Sequence, residues 1–132
     1  MKSPHSKTIT RLFLQLLILV ILSSCSSPSN KVTISADATL PQIAFALDEL
    51  NTAFGAKGLV ALRNDIEDAD IVFSIQDGDG MLKEEGFSIT RESGSIQVKG
   101  ADAAGAMYGG LELAEQVGLY GLDGVKEITR NP

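Results

Sequence analysis

Apolar positions change period along this chain, and each period names an element. In residues 12–22 they run almost unbroken, interrupted only by Gln15. From Lys31 to Ser35 they alternate with polar residues, which puts Val32 and Ile34 on one face of a strand. Ile43, Leu47, Leu50 and Phe54 then recur at helical spacing. Asp37 or Thr39 is placed to cap that helix, Pro41 suits its first turn, and Gly55 or Gly58 ends it. Ile71 to Ile75 is a short β-branched and aromatic run that suits a buried strand. Phe87 with Ile89, and Ile96 with Val98, alternate on either side of Glu92-Ser93-Gly94, the pattern of a hairpin around a tight turn.

A second helix is predicted from 103 to about 117, capped by Asp102, with Ala104, Met107, Tyr108, Leu111 and Ala114 as its buried stripe. Gly105, Gly109 and Gly110 interrupt it, each costing about 1 kcal/mol against Ala. Glycines inside a periodic helix imply close approach to a neighbouring backbone. Residues 126–130 suit a last short strand. The order β-α-β-β-β-α, with a hairpin before the second helix, predicts an α+β domain. It would be a single small domain, a mixed or antiparallel sheet of about four strands with two helices packed on it.

The first apolar run follows Lys2, Lys7 and Arg11 and ends in Leu22-Ser23-Ser24-Cys25. A basic start, an apolar stretch and small residues before a cut are the anatomy of a secretory signal. The stretch is shorter than the ~20 residues a membrane span needs. With Cys directly after the small pair, the segment resembles the lipobox of bacterial lipoproteins. That resemblance implies diacylglyceryl transfer to the Cys25 thiol, cleavage before it and acylation of the new amino terminus. The chain then reads as a lipoprotein signal peptide (1–24), a polar tether (25–30) and a folded domain (31–132). The expected location is the bacterial cell envelope, lipid-anchored to a membrane, and to the outer membrane if the cell is Gram-negative.

Charge and absences narrow the chemistry. Three of the 11 basic residues and none of the 17 acidic residues precede Cys25, so residues 25–132 carry 8 against 17, a net charge of −9. Such a surface repels nucleic acid phosphates and anionic lipid headgroups. The expected membrane link is therefore the acyl chain at Cys25. The single His, His5, lies in the signal, and Cys25 is the single Cys. The domain thus has no imidazole, no free thiol and no disulfide, which excludes a Ser-His-Asp triad, a Cys-His pair and a His/Cys zinc site within it. The Asp-Gly-Asp-Gly run at 77–80 is followed by Met81 and Leu82, where an EF-hand needs a carboxylate or amide and a Gly, so it reads as a turn. Asp65, Glu67, Asp68 and Asp70 read as a solvated acidic loop. No metal site and no cofactor are expected. Glu84-Glu85 and Glu112/Glu115 are the nearest carboxylate pairs. Strand neighbours point to opposite faces, and the second pair falls on the exposed side of its helix, so no catalytic residue is assigned. Tyr120, flanked by glycines, is the lone candidate for stacking on a sugar ring, and glycan binding by this domain is not expected.

Glu85-Gly-Phe-Ser-Ile-Thr, then Ser95-Ile-Gln-Val-Lys-Gly-Ala-Asp-Ala-Ala-Gly-Ala-Met-Tyr-Gly-Gly-Leu111, carries a second resemblance. It resembles the small non-catalytic N-terminal α+β domain that precedes the catalytic barrel of glycoside hydrolases, of the family 20 β-hexosaminidase and family 67 α-glucuronidase type. Asp102, Gly105, Tyr108 and Gly109 sit on that pattern, strongest over 84–117. The resemblance implies structural roles for them and a catalytic glycosidase barrel as partner. A barrel needs about 250 residues, so the resemblance carries no catalytic residue into these 132. It points to an accessory domain in truncated or isolated form. The alternatives are a free-standing lipoprotein that binds a protein or glycan, and an autonomous enzyme.

Overall fold

The computed structural model describes residues 29–63, 68–76 and 80–132. Among these, β1 (Lys31–Ser35) leads into α1 (Pro41–Ala56), β2 (Val60–Arg63) and β3 (Ile71–Ile75). The hairpin β4 (Phe87–Glu92) and β5 (Ser95–Gly100) follows, then α2 (Ala103–Tyr120), a 3-10 turn (Leu122–Gly124) and β6 (Ile128–Arg130). The strands form one mixed sheet in the order β2-β1-β3-β5-β4-β6. β2, β1, β3 and β5 are parallel, whereas β4 runs antiparallel to both β5 and β6. The α+β class and the two helices stand as expected, with six strands in place of about four. β2 was missed because Val-Ala-Leu-Arg has no polar alternation. It is an edge strand with only Ala61 half-buried on its core side.

Both helices lie on one face of the sheet and pack against each other. Alternation decides that face: Val32, Ile34, Ile71, Phe73, Phe87, Ile89, Ile96 and Val98 are all buried beneath the helices. From α1 come Ile43, Leu47, Leu50 and Phe54, as the spacing predicts. The opposite sheet face holds half-buried Thr33, Ser74, Ser88, Thr90, Gln97 and Lys99 and has no second layer among the described residues. Ser93 and Gly94, with φ of 50° and 92°, make the two-residue hairpin turn.

Two local expectations are corrected. Asp37 and Thr39 do not cap α1. Leu40 is the N-cap residue and makes no side-chain cap bond. The Asp37 carboxylate instead accepts from the Thr39 amide (3.0 Å) and hydroxyl (2.6 Å), and these bonds lower its pKa. The second correction is the phase of α2. Its buried residues are Gly105, Ala106, Gly109, Gly110, Leu113, Ala114, Gln116 and Val117. Of the predicted stripe only Ala114 is buried; Ala104, Met107 and Leu111 are half-buried and Tyr108 is exposed. The face that combines glycines and alanines lies inward because the sheet and α1 come too close for larger side chains. Leu113 and Val117 are buried beside them, while Met107 and Leu111 stay half-buried and Tyr108 is exposed.

Candidate functional site: a clamp at the start of the second helix

Gly100, Asp102 and Gly105 of the Gly-x-Asp-x-x-Gly-x-x-Tyr-Gly run meet where the end of β5, the start of α2 and the chain entering β4 converge. Asp102 works in two directions. Its Oδ1 accepts from the Gly105 amide (2.8 Å), capping α2, and its Oδ2 accepts from the Glu85 amide (2.9 Å). Glu85 has φ of 60°, in the left-handed region, so this bond holds a strained residue in place. The same bonds, from Glu85 first and Gly105 second, hold the Asp102 carboxyl below the usual Asp range. The Ala101 amide donates to Gly86 O at 2.9 Å and closes the joint.

The glycines here are spacers. A Cβ on Gly105 would stand 2.2 Å from Gly86 O, and one on Gly100 2.1 Å from the Ala106 amide nitrogen. A Cβ on Gly109 would meet Val98 Cγ1 at 2.8 Å, and one on Gly110 the Ala46 Cβ at 2.7 Å. The first pair clears backbone, and the second clears side chains of the sheet and of α1. Asp102, Gly105 and Gly109 are therefore brought together as a structural unit. Tyr108 is not part of it: its side chain is 42% exposed, which corrects the reading of this residue as core.

The carboxylate pairs do not form acid/base machinery. Glu84 and Glu85 are exposed in the loop before β4. Glu112 Oε2 faces Arg130 at 3.5 Å, and its Oε1 accepts from Gln116 Nε2 at 3.0 Å. Gln116, overlooked in the sequence, is a buried polar residue that ties α2 to the segment entering β6: its Oε1 accepts from the Lys126 amide at 2.7 Å. Asp70, grouped by sequence with an acidic loop, is committed to Thr33. Its Oδ2 accepts from the Thr33 amide (2.7 Å) and hydroxyl (2.8 Å), while the Asp70 amide donates back to that hydroxyl (2.9 Å). This reciprocal pair sets β3 beside β1. Asp65, Glu67 and most of the 77–80 run lie outside the described residues, as does Cys25. Among the described residues no group of three His, Cys, Asp or Glu is close enough to hold a metal ion, and no helix is long and apolar enough to cross a membrane.

A crevice of about 720 Å³ opens where β1 and β3 end, lined by Ser35, Asp37, Thr39, Arg63 and Phe73. In open α/β sheets such a place, where successive connections leave in opposite directions, often receives ligands. Among its described lining residues the carboxylate is Asp37, already bonded to Thr39. Two-carboxylate glycoside cleavage needs a second one about 5–10 Å away. Tyr120 is exposed, but the Lys126 ammonium lies 5.6 Å from its ring centroid and occupies one face by cation–π attraction.

No protein-family model and no curated protein matches the sequence. Solved structures do match the fold. One is a GH138 enzyme targeting pectin rhamnogalacturonan II (TM-score 0.64, 25% identity), matched over 77% of this chain and 15% of that one. Another is a GH115 4-O-methyl-α-glucuronidase with specificity for decorated arabinogalactans (TM-score 0.59, 21% identity), matched over 69% of this chain and 14% of that one. The chain thus spans less than a sixth of either enzyme. Its α+β fold is similar to one segment of large glycoside hydrolases.

Proposed function

We infer that this chain is a non-catalytic accessory domain of the glycoside-hydrolase type, held at the bacterial envelope by a lipid on Cys25. The observation that carries the reading is the clamp. The residues on which the resemblance rests, Asp102, Gly105 and Gly109, are spent on joining helix to sheet, and the fold they build is similar to a minor segment of glycoside hydrolases. The specific relation to the family 20 and family 67 accessory domains belongs to this proposal. So does a catalytic glycosidase barrel as partner, with the domain bracing it or holding it off the membrane. A free-standing lipoprotein binding module is the competing reading. A barrel encoded directly after the codon for Pro132, or beside this gene, separates the two.

Two results are expected. The purified protein should show no turnover of aryl β-hexosaminides or aldouronic acids. Turnover abolished by substituting Glu84, Glu85, Glu112 or Glu115 would overturn the non-catalytic reading. Cys25→Ser should block processing and leave a longer, unacylated precursor. Normal size and normal detergent partitioning of that variant would remove the lipid anchor.

A further inference from the structure

The structure assigns Leu119 and Tyr120, at the end of α2, as a bilayer contact: two side chains that enter the lipid interface beside the acyl anchor and stand the domain upright on the membrane. This rests on the lipid reading of Cys25 above and names the surface that would meet the bilayer.

Length places the pair. α2 has 18 residues and is about 27 Å long, whereas β5, from which it returns, has six and spans about 20 Å. Starting at the Asp102 joint, the helix therefore runs past the far end of the sheet by about one turn. Val117 is the last buried residue of α2, and a Cβ on Gly118 would meet nothing within 4 Å. Leu119 and Tyr120 are 61% and 60% exposed. Among the described residues they are the one pair of sequence neighbours that are both large, apolar and exposed. The Lys126 ammonium lies 5.6 Å from the Tyr120 ring centroid. An aliphatic side chain, a Tyr and a long-stemmed Lys are residue types that suit the boundary between acyl chains and headgroups.

Topology selects the occupant. β1 and β5 both run parallel to β3, so the chain enters β1 at the end of the sheet where α2 finishes. Asn30, just before β1, is fastened at that end. Its carbonyl accepts from the Val60 amide at 2.8 Å, and its Nδ2 donates to Gly58 O at 3.3 Å. From Cys25 to Lys31 the chain reaches at most about 20 Å. A lipid on Cys25 therefore holds this end, and not the opposite one, against the membrane. Asp68, Glu92, Asp123 and Glu127 share the end with Lys31, Lys57 and Lys126. The contact is thus apolar in origin and does not require anionic lipid. The Asp102 joint and the crevice where β1 and β3 end then face away from the bilayer.

The chain has no Trp, so Tyr120→Trp and Tyr108→Trp each supply a single reporter. Tyr108 is the control: it is 42% exposed and lies on the same helix, about 18 Å earlier. Each full-length acylated protein, made in bacterial cells, is reconstituted in phosphatidylcholine vesicles with or without bromine on the upper acyl carbons. Emission of Tyr120→Trp should shift to the blue and be quenched by the brominated lipid, with the ring about 5–10 Å into the interface. Tyr108→Trp should show neither change. Adding Leu119→Asp to Tyr120→Trp should reduce the quenching and leave the melting midpoint unmoved. Vesicle-bound protein with Tyr120→Trp unquenched, or with Tyr108→Trp quenched as strongly, would overturn the contact and leave the lipid anchor standing. A blue shift of Tyr120→Trp that grows with protein concentration in detergent, without vesicles, would give the pair to a second copy and overturn the contact. Absence of an acyl group at Cys25 by mass spectrometry would overturn both.

Discussion

Gly105→Ala should lower the stability of this domain by about 3 kcal/mol. In an ordinary helix the same change helps, by about 1 kcal/mol. Here the added Cβ would stand 2.2 Å from Gly86 O, with Gly86 C and Glu85 C just beyond 3 Å. These are backbone atoms, and they cannot rotate away. Gly86 is also held by its own amide to Lys83 O and by its carbonyl to the Ala101 amide. Relief therefore requires α2 to lift from the loop, which breaks the Asp102 bonds. Gly118 in the same helix is the control. It meets nothing within 4 Å, so Gly118→Ala should stabilise by about 0.5–1 kcal/mol. Gly109→Leu should fall between, at about 1–3 kcal/mol lost, because Val98 and Phe87 side chains can partly adjust. Urea midpoints at constant m-value measure all three. Equal midpoints for Gly105→Ala and Gly118→Ala would show that the close approach is wrong.

Replacing Asp102 should cost about 2–3 kcal/mol at neutral pH, since Asp102→Ala removes a helix cap and leaves the Glu85 amide without its acceptor. The effect should depend on acid in a defined sense. The folded carboxyl titrates below its ordinary value of 3.8 because the charged form accepts backbone hydrogen bonds. Its contribution is full above the unfolded pKa and is lost as pH falls through the folded one. The stability gap between the natural protein and Asp102→Asn should be constant from pH 7 to about 5, then narrow toward pH 3 and below. Asp37 and Glu92 are lowered for similar reasons, by Thr39 and Lys99, and add to the acid sensitivity of both proteins alike. A gap that stays constant through pH 3 would show that the Asp102 carboxylate is not the group that binds.

Local rules alone were enough for the elements with a clean period. Val32 and Ile34, Ile43 to Phe54, and the two strands around Ser93-Gly94 came out with the right faces, since burial on one side writes itself into the spacing. Asp102 was legible as a cap because the residue type and its position before a periodic run suffice. Its second bond, to Glu85, was not, since it spans 17 residues and depends on how the hairpin returns. Asp70, bonded to Thr33, and Asn131, whose Oδ1 accepts from the Lys83 amide at 2.7 Å, share that reason: each closes a contact between segments far apart in sequence, and polar residues carry no period that foretells it.

The phase of α2 is the instructive miss. Hydrophobicity ranks Met107, Tyr108 and Leu111 above Gly105, Gly109 and Gly110, so a reading by composition turns the helix the wrong way. Distance decides otherwise, because only residues without bulk fit where Phe73, Val98 and Ala46 close in. The sequence by itself determined the α+β class, the strand faces and the exclusion of His and Cys chemistry, all of which follow from local pattern or residue identity. Tertiary structure decided which face of α2 is core, and so that Tyr108 is exposed, because close packing is a property of the space between elements.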